Sequence, residues 1–192
     1  MNAPDVKEKR KAWVKTIIEY SPEKLVYLDE SGVNTDMTRI YGRAMGGARA
    51  VDNAPINTPA NTTILSSIRL NGETAYTTYS GGTTGDKFID YMKNVLIPTL
   101  SKGDVIIMDN MRSHHVKAVR EAIEDAEMTL LYLPPYSPDL NHIEQMWSKV
   151  KAVLRKLKIR VSTELPAAIK FAFSLITKED CYGWLNSAGV LG

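Results

Sequence analysis

The stretch DVIIMDN, residues 104–110, decides the fold. Its centre is apolar throughout, so it reads as a strand buried on both faces. A sheet covered on both sides needs helices above and below it. Working outward, MTLLYL (128–133) is a second buried strand, stopped by Pro134-Pro135, and LVYLD (25–29) is a third. TTILSSIRL (62–70) and ETAYTTY (73–79) flank Asn71-Gly72, a strong hairpin signal. Residues 32–60 are rich in Gly, Asn, Pro and Thr, and one ragged strand is expected around Ile40–Ala44.

Helical spacing of apolar residues fills the gaps. Residues 5–19 place Val6, Trp13, Ile17 and Ile18 among charges. Thr84 is a suitable N-cap for a helix carrying Phe88, Met92, Val95 and Leu96 and ending near Pro98. Ser113 would cap a helix with Val116, Val119, Ala122, Ile123 and Ala126 on one stripe. A longer helix from Asn141 carries Ile143, Met146, Trp147, Val150, Leu154 and Leu157. Thr163 would cap another over 164–176, with a short one near 179–186. Strands first, then alternating strands and helices, predict an α/β fold: a mixed sheet flanked by helices. That order is compatible with a ribonuclease H-like fold and with other α/β folds.

Composition sets the bounds. With 192 residues, 44% hydrophobic and 24% charged, the chain supports one full core. Its one cysteine, Cys181, excludes an internal disulfide framework and suits a reducing cytosol. The N-terminal residues lack the apolar core of a signal peptide, and no apolar run is long enough to cross a bilayer. The expectation is a soluble protein of the cytoplasm. Net charge is +2, yet KVKAVLRKLKIR (149–160) holds six basic residues and no acid, so the remainder is net acidic. Such a stripe suits a polyanion near a metal site, and it equally suits a solvated helix face.

Asp29 closes one apolar strand and Asp109 another. A carboxylate there is costly to desolvate unless paired, hydrogen-bonded or bound to a metal. If the strands are parallel neighbours, both acids open into one crevice beyond the strand ends. Each is also explicable as turn chemistry beside Gly, Ser or Asn. Glu144 follows a loop stiffened by three prolines, and with Asn141 it has the spacing of a capping box. Taken together, the three acids have the positions needed to converge on hard divalent cations such as Mg²⁺. Two ions about 3.5–4 Å apart stabilise both the attacking and the leaving oxygen in phosphoryl transfer.

LVYLDESGV (25–33), DVIIMDNMRSHH (104–115) and LLYLPPYSPDLNHIEQMWSKVK (130–151) together resemble the DDE transposases of the mariner superfamily, in particular its bacterial insertion-sequence branch. The 34 residues between Asp109 and Glu144 match the spacing of that branch. The resemblance implies a ribonuclease H-like catalytic domain over residues 23–192, preceded by a helix or linker over 1–22. It implies Asp29, Asp109 and Glu144 as catalytic residues and ligands of two Mg²⁺ or Mn²⁺ ions. It further implies DNA cleavage at element ends and transfer of the freed 3′ ends to target DNA at a TA dinucleotide. Asn110 and His114 match a D-N-x-x-x-H pattern and, with Asn141, are expected to order the metal site. Glu30 should point to the opposite side of the strand from Asp29. Trp147 and Met146 are expected in the core. Lys149, Lys151, Arg155 and Lys156 are candidate contacts to the DNA backbone.

Two positions depart from the family pattern. His142 stands where proline is usual, adding a titratable ring near the expected ions. Fewer than thirty residues precede Asp29, room for one helix and not for the helix-turn-helix modules usual ahead of the catalytic domain. The expected partners are DNA, a second copy of the chain, and a separately encoded helix-turn-helix half, in the nucleoid of a bacterial cytoplasm. The alternatives are a non-catalytic nucleic-acid-binding or assembly protein on the same fold, from a split or decayed transposase, and another ribonuclease H-like metal nuclease.

Overall fold

The computed structural model describes residues 4–39, 41–51, 53, 55, 59–110 and 117–186. Five strands form one sheet in the order β3-β2-β1-β4-β5: β1 (Leu25–Val33), β2 (Thr62–Arg69), β3 (Thr74–Ser80), β4 (Val105–Met108) and β5 (Thr129–Tyr132). The first strand in the chain is thus the middle strand of the sheet. It pairs antiparallel with β2 and parallel with β4, and β4 pairs parallel with β5. Among the described residues six α-helices accompany the sheet: α1 (Pro4–Ile17), α2 (Gly85–Tyr91), α3 (Lys117–Asp125), α4 (Ile143–Leu157), α5 (Leu165–Ser174) and α6 (Lys178–Asn186).

Alternation along the strands divides the core into two layers. Leu25, Tyr27, Val105 and Ile107 face one way, into a layer with Met146, Trp147, Val150 and Leu154 of α4 and the apolar sides of α5 and α6. Val26, Leu28, Ile106 and Met108 face the other way, toward Phe88 and Tyr91 of α2 and Val119 and Ile123 of α3. Ile17 of α1 is buried in the first layer, and Trp13 packs against it. This is a mixed, helix-flanked sheet, as the element order predicts, and its strand order is that of the ribonuclease H-like fold that the family resemblance implies.

Several expectations need correction. The first strand does not stop at Asp29. Its antiparallel pairing with β2 continues from Asp29↔Ser66 to Val33↔Thr62, whereas the parallel pairing with β4 ends at Leu28↔Met108. Asp29 therefore lies mid-strand, where one neighbour has ended. No strand forms among the described residues of 34–61, and Ile40 lies outside them. In the run at 128–133 only the ends, Met128 and Leu133, are buried; Thr129–Tyr132 are half-buried, because β5 is an edge strand. Leu157, assigned to the apolar stripe of α4, is 40% exposed at the helix end. Thr163 caps nothing, since Ser162–Glu164 form a 3-10 turn leading into α5. Ser113 and Val116 lie outside the described residues.

Other expectations hold. Thr84 caps α2, its hydroxyl accepting from the Lys87 amide. Asn71 and Gly72 form the hairpin tip, with Gly72 at φ 90° and packed so closely on α6 that a Cβ would lie 2.9 Å from the Lys178 amide nitrogen. No helix among the described residues is long and apolar enough to cross a membrane.

An ion cluster that the sequence reading missed anchors the far end of β4. Asp104 is fully buried, 3.1 Å from the Arg69 guanidinium and 3.3 Å from the Lys24 ammonium, and it accepts from the Ser101 amide at 2.9 Å. It ties β4 to β2 and to the turn before β1. Removing one partner of such a cluster strands a buried charge. Arg69→Ala is therefore expected to destabilise the fold by about 3 kcal/mol, read as a lower urea midpoint with an unchanged slope.

Candidate active site

The pairing that stops at Leu28↔Met108 places the next residues, Asp29 and Asp109, at the same edge of the parallel pair. By alternation both belong to the α4 side of the sheet, with Tyr27 and Ile107. Glu144, in the first turn of α4, comes to the same place. Asp29, Asp109, Asn110, Asn141 and Glu144 line one cleft of about 320 Å³, whose opposite wall is the proline loop from Leu133 to Pro138.

Each element has a local reason for its position. The proline loop turns sharply at Tyr136, a non-glycine residue in the left-handed region at φ 55° and 75% exposed at the cleft lip. Strained backbone of this kind is retained where the surroundings over-determine it. Asp139, on the 3-10 turn after the loop, is held by the Arg10 guanidinium of α1 through two hydrogen bonds, at 2.9 and 2.5 Å. That pairing lowers the Asp139 pKa.

The capping box that Asn141 and Glu144 suggested is not formed. Asn141 instead donates from Nδ2 to Asp29 Oδ2 at 3.1 Å, and its own buried Oδ1 has no hydrogen-bond partner. His142 occupies the N-cap without a side-chain cap bond. Glu144 thus remains exposed at the cleft. Nor is His142 a titratable ring among the acids. It is 2% exposed and packs edge-on against Tyr27 with ring centroids 4.7 Å apart. Burial pushes its pKa down to about 4, only partly opposed by Asp139.

Asp29 is the most buried of the three acids. It is 6% exposed. Burial pushes its carboxyl up to about 7, with the charges of Glu144 and Asp109 acting in the same direction. The Glu30 amide, donating to Oδ1 at 2.8 Å, pulls it down, as does the Trp147 indole N–H, which faces the carboxylate outside hydrogen-bond geometry. No cation is among these influences, in contrast to Asp104 at the other end of the neighbouring strand. Glu30 does point to the opposite face, where it accepts from the Thr83 hydroxyl.

A buried carboxylate flanked by two others and an orphaned amide oxygen form an oxygen-only donor set, which suits Mg²⁺ or Mn²⁺. Among the described residues, however, no three His, Cys, Asp or Glu side chains form a ready-made metal cluster. Solvent oxygens would complete the coordination, as Mg²⁺ commonly requires.

The remaining expected residues divide. Asn110 is exposed at the cleft, and His114 lies outside the described residues. Lys149 is tied to Asp180 of α6. Lys151 and Arg155 follow Glu144 by nearly two and three whole turns, so they share its side of α4, while Lys156 stands about a third of a turn away. Tyr136 and the Arg10–Asp139 pair were not foreseen. Long-range pairing leaves no local signal, though the tyrosine lay within the quoted loop.

Three carboxylates thus line one cleft at the open edge of a ribonuclease H-like sheet. The profile of the DDE superfamily endonucleases matches residues 24–165, and the chain belongs to that family. Among solved structures it is similar to the Mos1 transposase paired-end complex with left transposon end, at 18% identity and a TM-score of 0.80, covering 98% of this chain and 60% of that one. The mariner Mos1 paired-end complex with Mg gives 14% identity, a TM-score of 0.81 and the same coverage. The Mos1 catalytic domain with raltegravir and Mg gives 14% and 0.68, covering 98% of this chain and 92% of that one. The chain thus spans about 60% of the length of the first two. No curated protein matches the sequence.

The Asp29 environment has a pH signature. Between about pH 4 and 7 folded Asp29 retains a proton that the unfolded chain has released, so its contribution to stability falls as pH rises through that window, by at most about 1.4 kcal/mol per unit, while buried His142 contributes the opposite slope in both wild type and variant. Asp29→Asn removes the effect. In chelator, the variant is expected to melt above wild type at pH 8, with the gap closing toward pH 4. Parallel melting curves from pH 4 to 8 would contradict this description of the site.

Proposed function

We propose that the chain is the catalytic domain of a transposase of the mariner superfamily, in its bacterial insertion-sequence branch. In this reading it cuts DNA at the ends of a mobile element and joins the freed ends to target DNA. The observation that carries it is the single cleft lined by Asp29, Asp109 and Glu144. Family membership supports it, as does likeness to Mos1, whose structures include complexes with a transposon end and with Mn, and a strand transfer complex.

Asp29, Asp109 and Glu144 are the catalytic carboxylates and would hold two Mg²⁺ or Mn²⁺ ions. Bound there, the ions would lower the pKa of a water and offset charge on the phosphate. The chain's part is positional. Asn141 and the Glu30 amide fix the Asp29 oxygens, and the proline loop sets where Glu144 stands. Asn110 helps to order the site, and the role of His114 rests on its motif alone. Hydrolysis breaks the bond from phosphorus to the 3′ oxygen. The resulting 3′-hydroxyl then attacks a phosphorus of target DNA and displaces a second 3′ oxygen. Lys151 and Arg155, on the Glu144 side of α4, are the stronger candidates for backbone contact, with Lys156 less well placed and Lys149 engaged elsewhere.

The wider reading takes residues 1–22 as a helix and linker and 23–192 as the catalytic domain. It takes the working form as a homodimer in a bacterial cytoplasm, with end recognition supplied by a separate helix-turn-helix half. A second reading, a non-catalytic DNA-binding protein on the same fold, is favoured by one observation: the lack of a ready-made metal cluster among the described residues.

Calorimetric titration with Mn²⁺ separates the two. Wild type is expected to bind, and Asp109→Asn to lose at least about tenfold in affinity, as well as the Mn²⁺-dependent cutting of duplex DNA. DNA binding without metal uptake or cutting would leave the second reading in place.

A further inference from the structure

Helix α1 carries five basic residues, and four of them, Lys7, Lys9, Lys11 and Lys15, are exposed. The fifth, Arg10, is half-buried and lies on the docked face of the helix. Trp13 and Ile17, three and seven positions on, share that face and pack into the core layer of α4. From there the Arg10 guanidinium reaches both carboxylate oxygens of Asp139, a two-pronged contact that lysine does not reproduce.

For stability this pair matters little, because the Asp139 side chain is 62% exposed and exposed ion pairs contribute little to a fold. Its placement gives it another role. The proline loop leaves the sheet at Leu133, whose amide donates to the Met108 carbonyl at 2.9 Å, beside Asp109. It returns through interlocking turn bonds: Leu140 N–H to the Ser137 carbonyl at 3.1 Å, Asn141 to Pro138 at 3.0 Å and Glu144 to Asn141 at 3.1 Å. A displacement of Asp139 is therefore passed on to Asn141 and Glu144. Asn141 in turn holds Asp29 through its side-chain amide. Arg10 thus grips the loop just ahead of the residues that place two of the three carboxylates.

We propose that Arg10 is a positioning residue of the carboxylate cleft: its ion pair with Asp139 fixes the loop that places Asn141 and Glu144, and so sets the affinity of the cleft for a divalent cation. The proposal rests on the reading of that cleft as a metal site and deepens it. The effect runs through geometry, and its sign separates it from simple charge. A positive group near the cleft opposes cation binding and a negative one favours it. Through charge alone, Arg10→Ala would tighten Mn²⁺ binding and Asp139→Ala would weaken it. Through positioning, both weaken it.

The test is a double-mutant cycle on the full chain, with Mn²⁺ titrated calorimetrically into wild type, Arg10→Ala, Asp139→Ala and the double variant. Each single variant is expected to lose about tenfold in Mn²⁺ affinity, the low end for outer contacts of a metal site, and the double variant to lose no more than either. Melting temperatures are expected to fall by no more than about 4 °C, as for an exposed pair, showing the fold intact. In metal-free protein, amide hydrogen exchange is expected to quicken at Leu140, Asn141 and Glu144, while Val150 and Leu154 in the core of α4 keep their protection. Shifts that add in the double variant, whether opposite or of one sign, would overturn the proposal. Unchanged affinity in Arg10→Ala would also overturn it and leave the metal-site reading standing. A wild type that takes up no more Mn²⁺ than Asp109→Asn would remove that reading, and this proposal with it.

Discussion

Backbone hydrogen bonding between β1 and β4 is the interaction on which the rest depends. Parallel pairing from Leu25↔Val105 to Leu28↔Met108 aligns two strands whose next residues are both aspartates. Side-chain alternation then assigns both to the helix α4 side of the sheet. A slip of one residue in either strand would turn its acid toward the opposite layer, among Phe88, Tyr91 and Met92. Register is held by apolar residues packed on both faces and by Asp104 clamped between Arg69 and Lys24 at the strand's other end. The two aspartates of DVIIMDN thus have different surroundings. One is paired with cations and belongs to the framework; the other lines the cleft with Asp29 and Glu144.

The third acid depends on a different kind of constraint. Glu144 belongs to a helix whose other face is locked into the core by Met146, Trp147 and Val150. Its height above the sheet is set by the loop before it. Prolines restrict that loop, Tyr136 bends it, and Arg10 grips it from α1. Asn141 closes the arrangement by reaching back to Asp29 rather than capping its own helix. Loop, helix start and central strand are therefore one unit, and the cleft lies between them.

Much of this was legible in the sequence because the relevant signals are local. Four-residue apolar runs marked β4, and helical spacing marked α4 with Met146 and Trp147 in the core. Thr84 and the Asn71-Gly72 turn behave as their chemistry dictates. The failures have a common cause, which is that burial and pairing depend on neighbours far along the chain. Asp29 reads as a strand end because its apolar run ends there, yet β2 keeps pairing beyond it. The run at 128–133 reads as buried, but the sheet order makes it an edge. His142 reads as a departure near the acids, and only the tertiary contact with Tyr27 shows it to be a packed, neutral ring. The convergence of the three acids followed from considering them jointly. Considered singly, each had an adequate local explanation, and for Glu144 that explanation, the capping box, is the one the structure rejects.

The position of β1, earliest strand in the chain and central strand in the sheet, has a consequence for how the protein is made. As synthesis proceeds, Asp29 emerges with the first strand and is soon joined by β2 and β3 on its antiparallel side. The parallel side stays open until β4 appears, and Glu144 follows later still. Through that interval Asp29 remains hydrated, with an ordinary carboxylate's affinity for protons. The buried, proton-hungry carboxylate comes into being only when the last third of the chain has closed over the first. A chain released early therefore carries the first acid and three of the five strands, without the residues that bury that acid.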